Sequence, residues 1–203
     1  LVKRGLRVVP IKAPFDSRPA YPIFAFAERN VMGDSLVSSL LKEGDLIISD
    51  AVAQSVALLS LPDEKPKRFL EIGAGRGTKT ILLQNAALAR YGSQMELDTL
   101  DKSERRTDER TSRLKRARIK EEQSFVMDAT DLSSFEAGTY DAVFIDAPCS
   151  GAGTLRRHPE IRWRLKPDAV SSLAAVSSSM LKQAARLVAP GGRLTYATCP
   201  IFN

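Results

Sequence analysis

The chain has two cysteines, and each one follows a predicted β-strand. Cys149 lies in the segment Asp-Ala-Pro-Cys-Ser-Gly that begins at Asp146, and Cys199 follows the predicted strand 193–198. A buried structural thiol is the first alternative for each cysteine, and a chance redox pair is the second. A thiolate that adds to C6 of a cytosine ring makes C5 electron-rich enough to accept a methyl group. Asp146 could hydrogen-bond or protonate the ring while a second thiol assists proton removal, but chemistry alone does not say which cysteine attacks.

A glycine-rich loop, Gly73-Ala-Gly-Arg-Gly-Thr-Lys79, separates a predicted strand from a predicted helix. Glycines in such a loop permit a positive φ and let the backbone approach a ligand closely. A P-loop needs glycine directly before its lysine, where this chain has Thr78. The dinucleotide-binding fingerprint needs its third glycine one residue later than Gly77. The third interpretation is a methyltransferase loop that holds the methionine part of S-adenosylmethionine.

Two further aspartates end the next two predicted strands. Asp101 could accept hydrogen bonds from the two ribose hydroxyls of an adenosine, and Asp128 could meet the adenine amino group. Each aspartate taken alone could equally be a helix cap or a turn former. Because the loop and both acids fall at successive strand ends, we predict an S-adenosylmethionine site along that edge.

The alternation of strands and helices predicts an α/β fold. Apolar patterning indicates strands at 68–72, 95–100, 124–127, 140–145 and 193–198, with helices at 51–61, 78–90, 103–118 and 168–188. Strands that alternate with helices form a mainly parallel sheet with helices on both faces, and ligands bind beyond the carboxyl ends of its strands.

Residues 1–45 contain four closely spaced prolines and are predicted to form an irregular arm or small subdomain, a small N-terminal extension to the catalytic domain 46–203. The chain begins at Leu1 rather than at methionine and stops abruptly at Asn203, which suggests a fragment that is truncated at its C-terminus.

The formal net charge is +6, which is compatible with a polyanionic partner. One basic cluster, at 105–120, is mixed with acids and is interpreted as a solvated helix face. A second cluster, at 156–166, is interpreted as a nucleic-acid contact. No apolar run is long enough to span a membrane, and no spacing of cysteine and histidine suggests a metal. Because two cysteines are too few for a disulfide framework, we predict an intracellular protein: cytoplasmic, or nucleolar or mitochondrial in a eukaryote. We also predict a monomer without metal or membrane contact.

Two segments carry a specific family resemblance. Asp146-Ala-Pro-Cys-Ser-Gly-Ala-Gly-Thr-Leu-Arg-Arg-His-Pro-Glu-Ile-Arg-Trp-Arg164 and Tyr196-Ala-Thr-Cys199 resemble motifs IV and VI of the NOL1/NOP2/Sun (Fmu/RsmB-like) family of RNA 5-methylcytosine methyltransferases. The similarity extends from about residue 50 to the end of the chain. It implies a Rossmann-like, S-adenosylmethionine-dependent enzyme that methylates ribosomal or transfer RNA through a covalent cysteine adduct at C6 of cytosine.

The resemblance also implies roles for individual residues. Cys199 would be the nucleophile, Cys149 would assist proton removal and product release, and Lys79 would contact the cytosine or Asp146. Arg106 would support Asp101. The implied cofactor-binding residues are Gly73, Ala74, Gly75, Arg76, Gly77, Thr78, Lys79, Asp101, Arg106, Asp128 and Asp146.

The loop departs from the family pattern, because Arg76 replaces a typical proline and Thr78 a typical glycine. The basic segment that contains Arg156, Arg157 and His158, together with Trp163, suits phosphate contacts around a splayed-out base. Two alternatives remain open: a non-catalytic RNA-binding fragment of such a protein, and a methyltransferase with a non-RNA substrate.

Overall fold

The computed structural model describes residues 8–11, 23–26, 31–155, 159–164 and 167–198. They divide into two compact units. The described residues of Leu1–Lys65, Gly75–Met95 and Arg105–Glu121 form what we call the helical unit. Those of Pro66–Ala74, Glu96–Glu104 and Glu122–Asn203 form the sheet unit.

The sheet unit is built on one parallel sheet of five strands. They are β3 (Phe69–Ile72), β4 (Leu97–Asp101), β5 (Ser124–Val126), β6 (Tyr140–Asp146) and β7 (Val188–Ala197), in the spatial order β5-β4-β3-β6-β7. The chain proceeds outwards from β3 through β4 to β5 and then returns to the other side of β3 with β6. The order therefore reverses between β3 and β6, the kind of position at which open α/β sheets bind ligands.

The central strands are buried on both faces and are largely apolar, apart from the buried Glu71 of β3. All four residues of β3 and most of β6 are inaccessible to solvent, as expected for strands inside a parallel sheet. Helix α6 (Pro167–Leu187) packs on this sheet through Met180, Ala184 and Leu187, which join Leu70 and Val143 in one apolar cluster. This packing holds the carboxyl ends of β3 and β6 in a fixed arrangement.

The helical unit contains α1 (Ser35–Glu43), α2 (Ala51–Ser60), α3 (Thr78–Tyr91) and most of α4 (Glu104–Arg116), together with an antiparallel pair, β1 (Val8–Ile11) and β2 (Ile23–Phe26). Its apolar cluster consists of Ile81, Leu114 and Ile119, and Ile47 and Ala117 pack against it. The expectation of irregular structure was wrong for Val8–Ile11, Ile23–Phe26 and Ser35–Glu43, whereas the division into an arm or small subdomain at 1–45 stays a prediction. Asp34 caps α1 by accepting the N–H groups of Leu36 and Val37.

One boundary differs clearly from that expected from sequence. Strand β7 begins at Val188 instead of at residue 193, and its pairing with β6 shifts register between Tyr140 and Ala142. A short helix, α5 (Ile161–Arg164), interrupts the basic segment.

The predicted fold class is confirmed: the chain has a parallel five-stranded sheet with helices in a Rossmann-like arrangement. Among the residues that the structure describes, no helix is both long enough and apolar enough to cross a membrane.

Candidate active site

The carboxyl edge of the parallel sheet brings together the predicted residues of the sheet unit. Gly73 follows β3, Asp101 ends β4, Asp128 lies two residues beyond β5 and Asp146 ends β6. Because all five strands run parallel, these residues share one edge. Cys199 lies outside the described residues, and so do Arg156, Arg157 and His158.

Gly73 lies against the backbone of Asp146 at the point where the strand order reverses. Its φ is +83°, and a Cβ at this position would lie 2.5 Å from the carbonyl oxygen of Asp146. The N–H groups of Gly73 and Ala74 both donate to the carbonyl of Leu100, at 2.8 and 3.1 Å. Only glycine fits such a close approach without strain. The start of the glycine loop is thus fixed beside the residue predicted to assist catalysis.

The carboxylates of Asp101 and Asp128 accept hydrogen bonds from residues two positions further along the chain. Asp101 is 4% exposed, and its Oδ1 accepts the N–H of Ser103 at 2.9 Å. Asp128 is exposed, and its Oδ1 accepts both the N–H and the hydroxyl of Thr130, at 2.9 and 2.8 Å. The backbone N–H and then the hydroxyl of Thr130 lower the pKa of Asp128, so that this carboxylate stays charged at neutral pH.

The segment from Asp146 to Cys149 is attached to its neighbours at two points. The N–H of Ala147 donates to the carbonyl of Ala197 at the end of β7, at 2.9 Å. The hydroxyl of Ser177 on α6 donates to the carbonyl of Pro148 at 3.2 Å. These bonds hold Cys149 in a half-buried position.

A cavity of about 540 Å³ opens beside Cys149. Besides this cysteine, Ser150, Leu173, Ser177, Tyr196 and Thr198 line it. Its walls are mainly apolar with a few hydroxyl groups, and Tyr196 exposes an aromatic surface. Such a lining suits a planar heterocycle that is held by stacking and a small number of hydrogen bonds.

The remaining loop residues belong to the helical unit. Gly75 and Gly77 have φ values of +53° and +78°, and Gly77 directly precedes α3. Lys79 lies half-buried in the first turn of α3, and Arg106 lies half-buried on α4. The expected contacts of Lys79 with Asp146 and of Arg106 with Asp101 stay predictions.

The basic segment is described only in part. Arg162 and Trp163 lie on α5, and Trp163 is 78% exposed. An exposed indole beside a guanidinium is compatible with the predicted stacking on a base. Within the described ranges, no group of three or more acidic, histidine or cysteine side chains could hold a metal ion.

Sequence reasoning missed two arginines on α4. Arg110 is completely buried and donates to the carbonyl of Gly75, and Arg113 donates to the carbonyl of Arg76. The interpretation of this segment as a solvated helix face was therefore wrong for Arg110. Helical spacing could have identified it, because Thr107, Arg110 and Leu114 follow the three- and four-residue steps of a buried face.

Known proteins match this chain over most of its length. The family model described as 16S rRNA methyltransferase RsmB/F matches residues 57–202. A protein of Mycobacterium tuberculosis, Rv1407, which is named as a methyltransferase, is 33% identical over 165 residues, covering 78% of this chain and 34% of the relative. Ribosomal RNA small subunit methyltransferase B of Klebsiella pneumoniae is 31% identical, covering 79% of this chain and 36% of the relative.

Among solved structures, the crystal structure of PH0851 superposes with a TM-score of 0.81 at 29% identity, covering 100% of this chain and 43% of that protein. The chain spans about a third of the length of the curated relatives it matches.

Proposed function

This chain belongs to the 16S rRNA methyltransferase RsmB/F family, and we propose that it is the catalytic part of an S-adenosylmethionine-dependent enzyme that methylates C5 of a cytosine in RNA. One observation carries the proposal. The first residue of the glycine loop, Gly73, packs against the carbonyl of Asp146, the start of the Asp-Ala-Pro-Cys segment, where the strand order reverses. A cofactor held at the start of this loop would lie next to the acid and the thiol.

The residues present fit S-adenosylmethionine. Glycine at position 73 lets the start of the loop lie directly against the carbonyl of Asp146, where a Cβ would not fit. In this proposal Asp101 accepts hydrogen bonds from the ribose hydroxyls and Asp128 accepts one from the adenine amino group. When bound, the cofactor supplies an electrophilic methyl group on a sulfonium. Gly73 to Lys79 would hold its methionine part, with Arg106 supporting Asp101.

The chain's own residues supply the remaining chemistry. The thiolate of Cys199 adds to C6 of the cytosine, while Asp146 hydrogen-bonds or protonates the ring and stabilises the charge that develops. After methylation of C5, the proton on that carbon leaves with the assistance of Cys149, and the bond between the sulfur of Cys199 and C6 breaks. Lys79 contacts the base or Asp146. These roles follow the family resemblance, which ranks the two cysteines.

RNA is the substrate that the charge and the cavity favour. The net charge of +6 and the exposed Trp163 beside Arg162 suit phosphates and a stacked base. A base turned out of its strand can enter the cavity beside Cys149. Ribosomal RNA is the substrate class named for the relatives, and transfer RNA is the alternative. An RNA substrate also places the protein inside the cell, and the monomeric state remains a prediction.

The two cysteines give the sharpest test. Wild-type protein, Cys199→Ala and Cys149→Ala are incubated under reducing conditions with labelled S-adenosylmethionine and total RNA from a strain that lacks the gene. Cys199→Ala should transfer no methyl group, whereas Cys149→Ala should accumulate a covalent protein–RNA adduct, visible as a shifted band on denaturing gels. Bisulfite sequencing of the treated RNA identifies the modified cytosine.

The alternatives predict different outcomes. Loss of activity in both variants without an adduct would refute the assigned cysteine roles. A wild-type protein that binds RNA but shows no heat of binding with S-adenosylmethionine would be a non-catalytic RNA-binding protein. Methyl transfer to protein or to a small molecule, with no competition from RNA, would refute the RNA substrate.

A further inference from the structure

Arg113 of α4 reaches the two loop residues that depart from the family pattern. Its Nη1 donates to the carbonyl oxygen of Arg76 at 2.8 Å and to Oγ1 of Thr78 at 3.2 Å. One guanidinium nitrogen thus contacts a backbone group on one side of Gly77 and a side chain on the other. These contacts hold the loop just before α3 begins at Thr78.

Arg110 supports the same loop from one helical turn earlier. It is completely buried, and its Nη1 donates to the carbonyl oxygen of Gly75 at 3.1 Å. Its Nε lies 3.1 Å from Oε2 of Glu121, which balances the buried charge. A Cβ at Gly77 would lie 2.7 Å from Cγ of Arg110, so the loop and this side chain are in close contact.

Two further ion pairs lie on the outer side of this arrangement. Nε of Arg76 lies 2.5 Å from Oε2 of Glu109, and Arg105 pairs with the other carboxylate oxygen of Glu109 at 2.9 Å. Both ion pairs are solvent-accessible, so each contributes little to the stability of the fold. Burial lowers the pKa of Arg113, and the guanidinium groups of Arg116 and Arg76 lower it further. Arg113 therefore lies on the loop in spite of desolvation and like-charge repulsion.

We propose that Arg110 and Arg113 are positioning residues that shape the glycine loop before the cofactor arrives and thereby set its affinity. The inference rests on the proposed function, because it assumes that this loop holds S-adenosylmethionine. A glycine-rich loop loses conformational entropy when it orders around a ligand. Donors fixed on a helix that already bind the carbonyls of residues 75 and 76 reduce that loss, so more of the contact energy appears as affinity.

The arrangement also explains how this chain tolerates its unusual loop. The hydroxyl of Thr78, where the family typically has glycine, accepts a hydrogen bond from Arg113. Arg76, where proline is typical, offers its carbonyl to the same guanidinium and its own side chain to Glu109. Arg113 and Thr78 should therefore act as a coupled pair.

The experiment measures binding of S-adenosylhomocysteine by calorimetry in wild-type protein, Arg113→Gln, Thr78→Val and the double variant. We expect Kd to rise about tenfold in Arg113→Gln and about threefold in Thr78→Val, as for loss of one or two hydrogen bonds. The double variant should be weakened by less than the product of the two factors, because both changes remove the same contact. Lys115→Gln, an exposed charge change on the same helix, is the matched control and should bind like wild type.

A purely structural role makes a different prediction. If Arg113 only stabilises the fold, Arg113→Gln lowers the melting temperature of the ligand-free protein and leaves Kd unchanged at 25 °C. Under our proposal the KM for S-adenosylmethionine rises, while kcat at saturating cofactor changes less than about twofold. Arg110→Lys, which keeps a charge beside Glu121 but shortens the reach to Gly75, should weaken binding in the same way.

The possible failures are distinguishable. If wild-type protein does not bind S-adenosylhomocysteine, the proposed function fails. If wild type binds but Arg113→Gln and Thr78→Val bind equally well, the positioning role is refuted and the proposed function stands. If Arg113→Gln does not fold, the Kd values of Thr78→Val and Arg110→Lys for S-adenosylhomocysteine still test the positioning role.

Discussion

The two ends of the parallel sheet carry polar groups arranged in different ways. At the amino end, the carboxylate of Asp98 accepts hydrogen bonds from Arg68 at 2.7 Å and from the hydroxyl of Tyr140 at 2.8 Å. The guanidinium of Arg68 also lies over the ring of Tyr140, 4.7 Å from its centroid. We call these three residues the amino-end cluster. It ties the starts of β3, β4 and β6 together across strands.

At the carboxyl end, the acids are distributed one per strand instead of being gathered around one partner. Asp101 and Asp128 each accept an N–H from the residue two positions further on, and Asp146 ends β6 beside Gly73. A network that joins several strands stabilises a fold, whereas acids spread along a ligand-binding edge can meet a ligand. We therefore expect changes at the amino end to affect stability and changes at the carboxyl end to affect activity.

Asp146→Asn should have the largest effect. The substitution preserves shape but removes the acid that we propose stabilises the developing charge on the ring, so the rate of methyl transfer should fall about 10²- to 10⁴-fold. The melting temperature should stay within about 2 °C of wild type, since changes of a few tenths of a kcal/mol shift it no further. Single-turnover transfer from labelled cofactor and thermal melts on the same samples provide the measurement. A stability loss as large as the activity loss would contradict the division between the two ends.

Asp98→Ala should have the next largest effect, and on stability alone. Asp98 is 2% exposed, and its removal leaves the buried hydroxyl of Tyr140 and the N–H of Gln123 without this acceptor. We expect the free energy of unfolding to fall by about 2–4 kcal/mol, toward the lower end because Arg68 is 41% exposed. Urea titration of wild type and Asp98→Ala measures this difference in the free energy of unfolding. Asp98→Asn, which retains an acceptor, should lose less.

Binding data on the same variant sharpen the comparison. At 15 °C, where Asp98→Ala remains folded, its Kd for S-adenosylhomocysteine should equal that of wild type. A weakened affinity would show that the amino-end cluster also shapes the cofactor edge, and the two ends would then be coupled.

The local pattern of the sequence predicts the strands and the carboxyl-edge acids well. Residues 140–146 are apolar enough to predict a buried strand, and in a parallel sheet the residue that ends it must lie at the ligand-binding edge. For that reason Asp101, Asp128 and Asp146 could be proposed as site residues without coordinates.

The amino-end cluster could not be predicted in this way. Asp98 lies 30 residues from Arg68 and 42 from Tyr140 in sequence, and only the strand order makes them neighbours. The contacts of Arg110 and Arg113 with the glycine loop depend on the same kind of non-local arrangement. Strand β7 was predicted too short, because proline and two glycines usually end an element, whereas this edge strand accommodates them with a shift in register.

Tyr140→Phe should have a smaller effect with a characteristic pH dependence. Burial raises the pKa of Tyr140, and the hydrogen bond to Asp98 raises it further. A group whose pKa is higher in the folded state stabilises the fold below its unfolded pKa of about 10, and this contribution is lost as the pH rises toward the folded value. At pH 7 the variant should lose about 1 kcal/mol of unfolding free energy.

Urea titrations of wild type and Tyr140→Phe from pH 7 to pH 11 provide the measurement. The difference in stability should stay constant up to about pH 9.5 and then narrow, because only wild type has a phenol that ionises more readily when unfolded. A difference that widens above pH 10 would show that Tyr140 ionises more easily in the folded protein.

Thr130→Val should have the smallest effect, and it belongs to the carboxyl end. It removes the hydroxyl that donates to Asp128 and keeps the backbone N–H that donates to the same oxygen. Because both donors lower the pKa of Asp128, the variant should have a higher pKa at this carboxyl. In wild type, the lowered pKa keeps the carboxylate of Asp128 charged as the pH falls. In Thr130→Val this carboxylate should be protonated at a higher pH, so adenosine binding through Asp128 should also be lost at a higher pH.

The affinity of Thr130→Val for S-adenosylhomocysteine should match that of wild type at pH 7 and fall below it as the pH approaches 4, whereas the affinity of Thr130→Ser should follow that of wild type throughout. Superimposable curves for all three proteins would refute the proposed sequence of effects, in which the Thr130 hydroxyl keeps Asp128 charged and the charged Asp128 binds the adenosine.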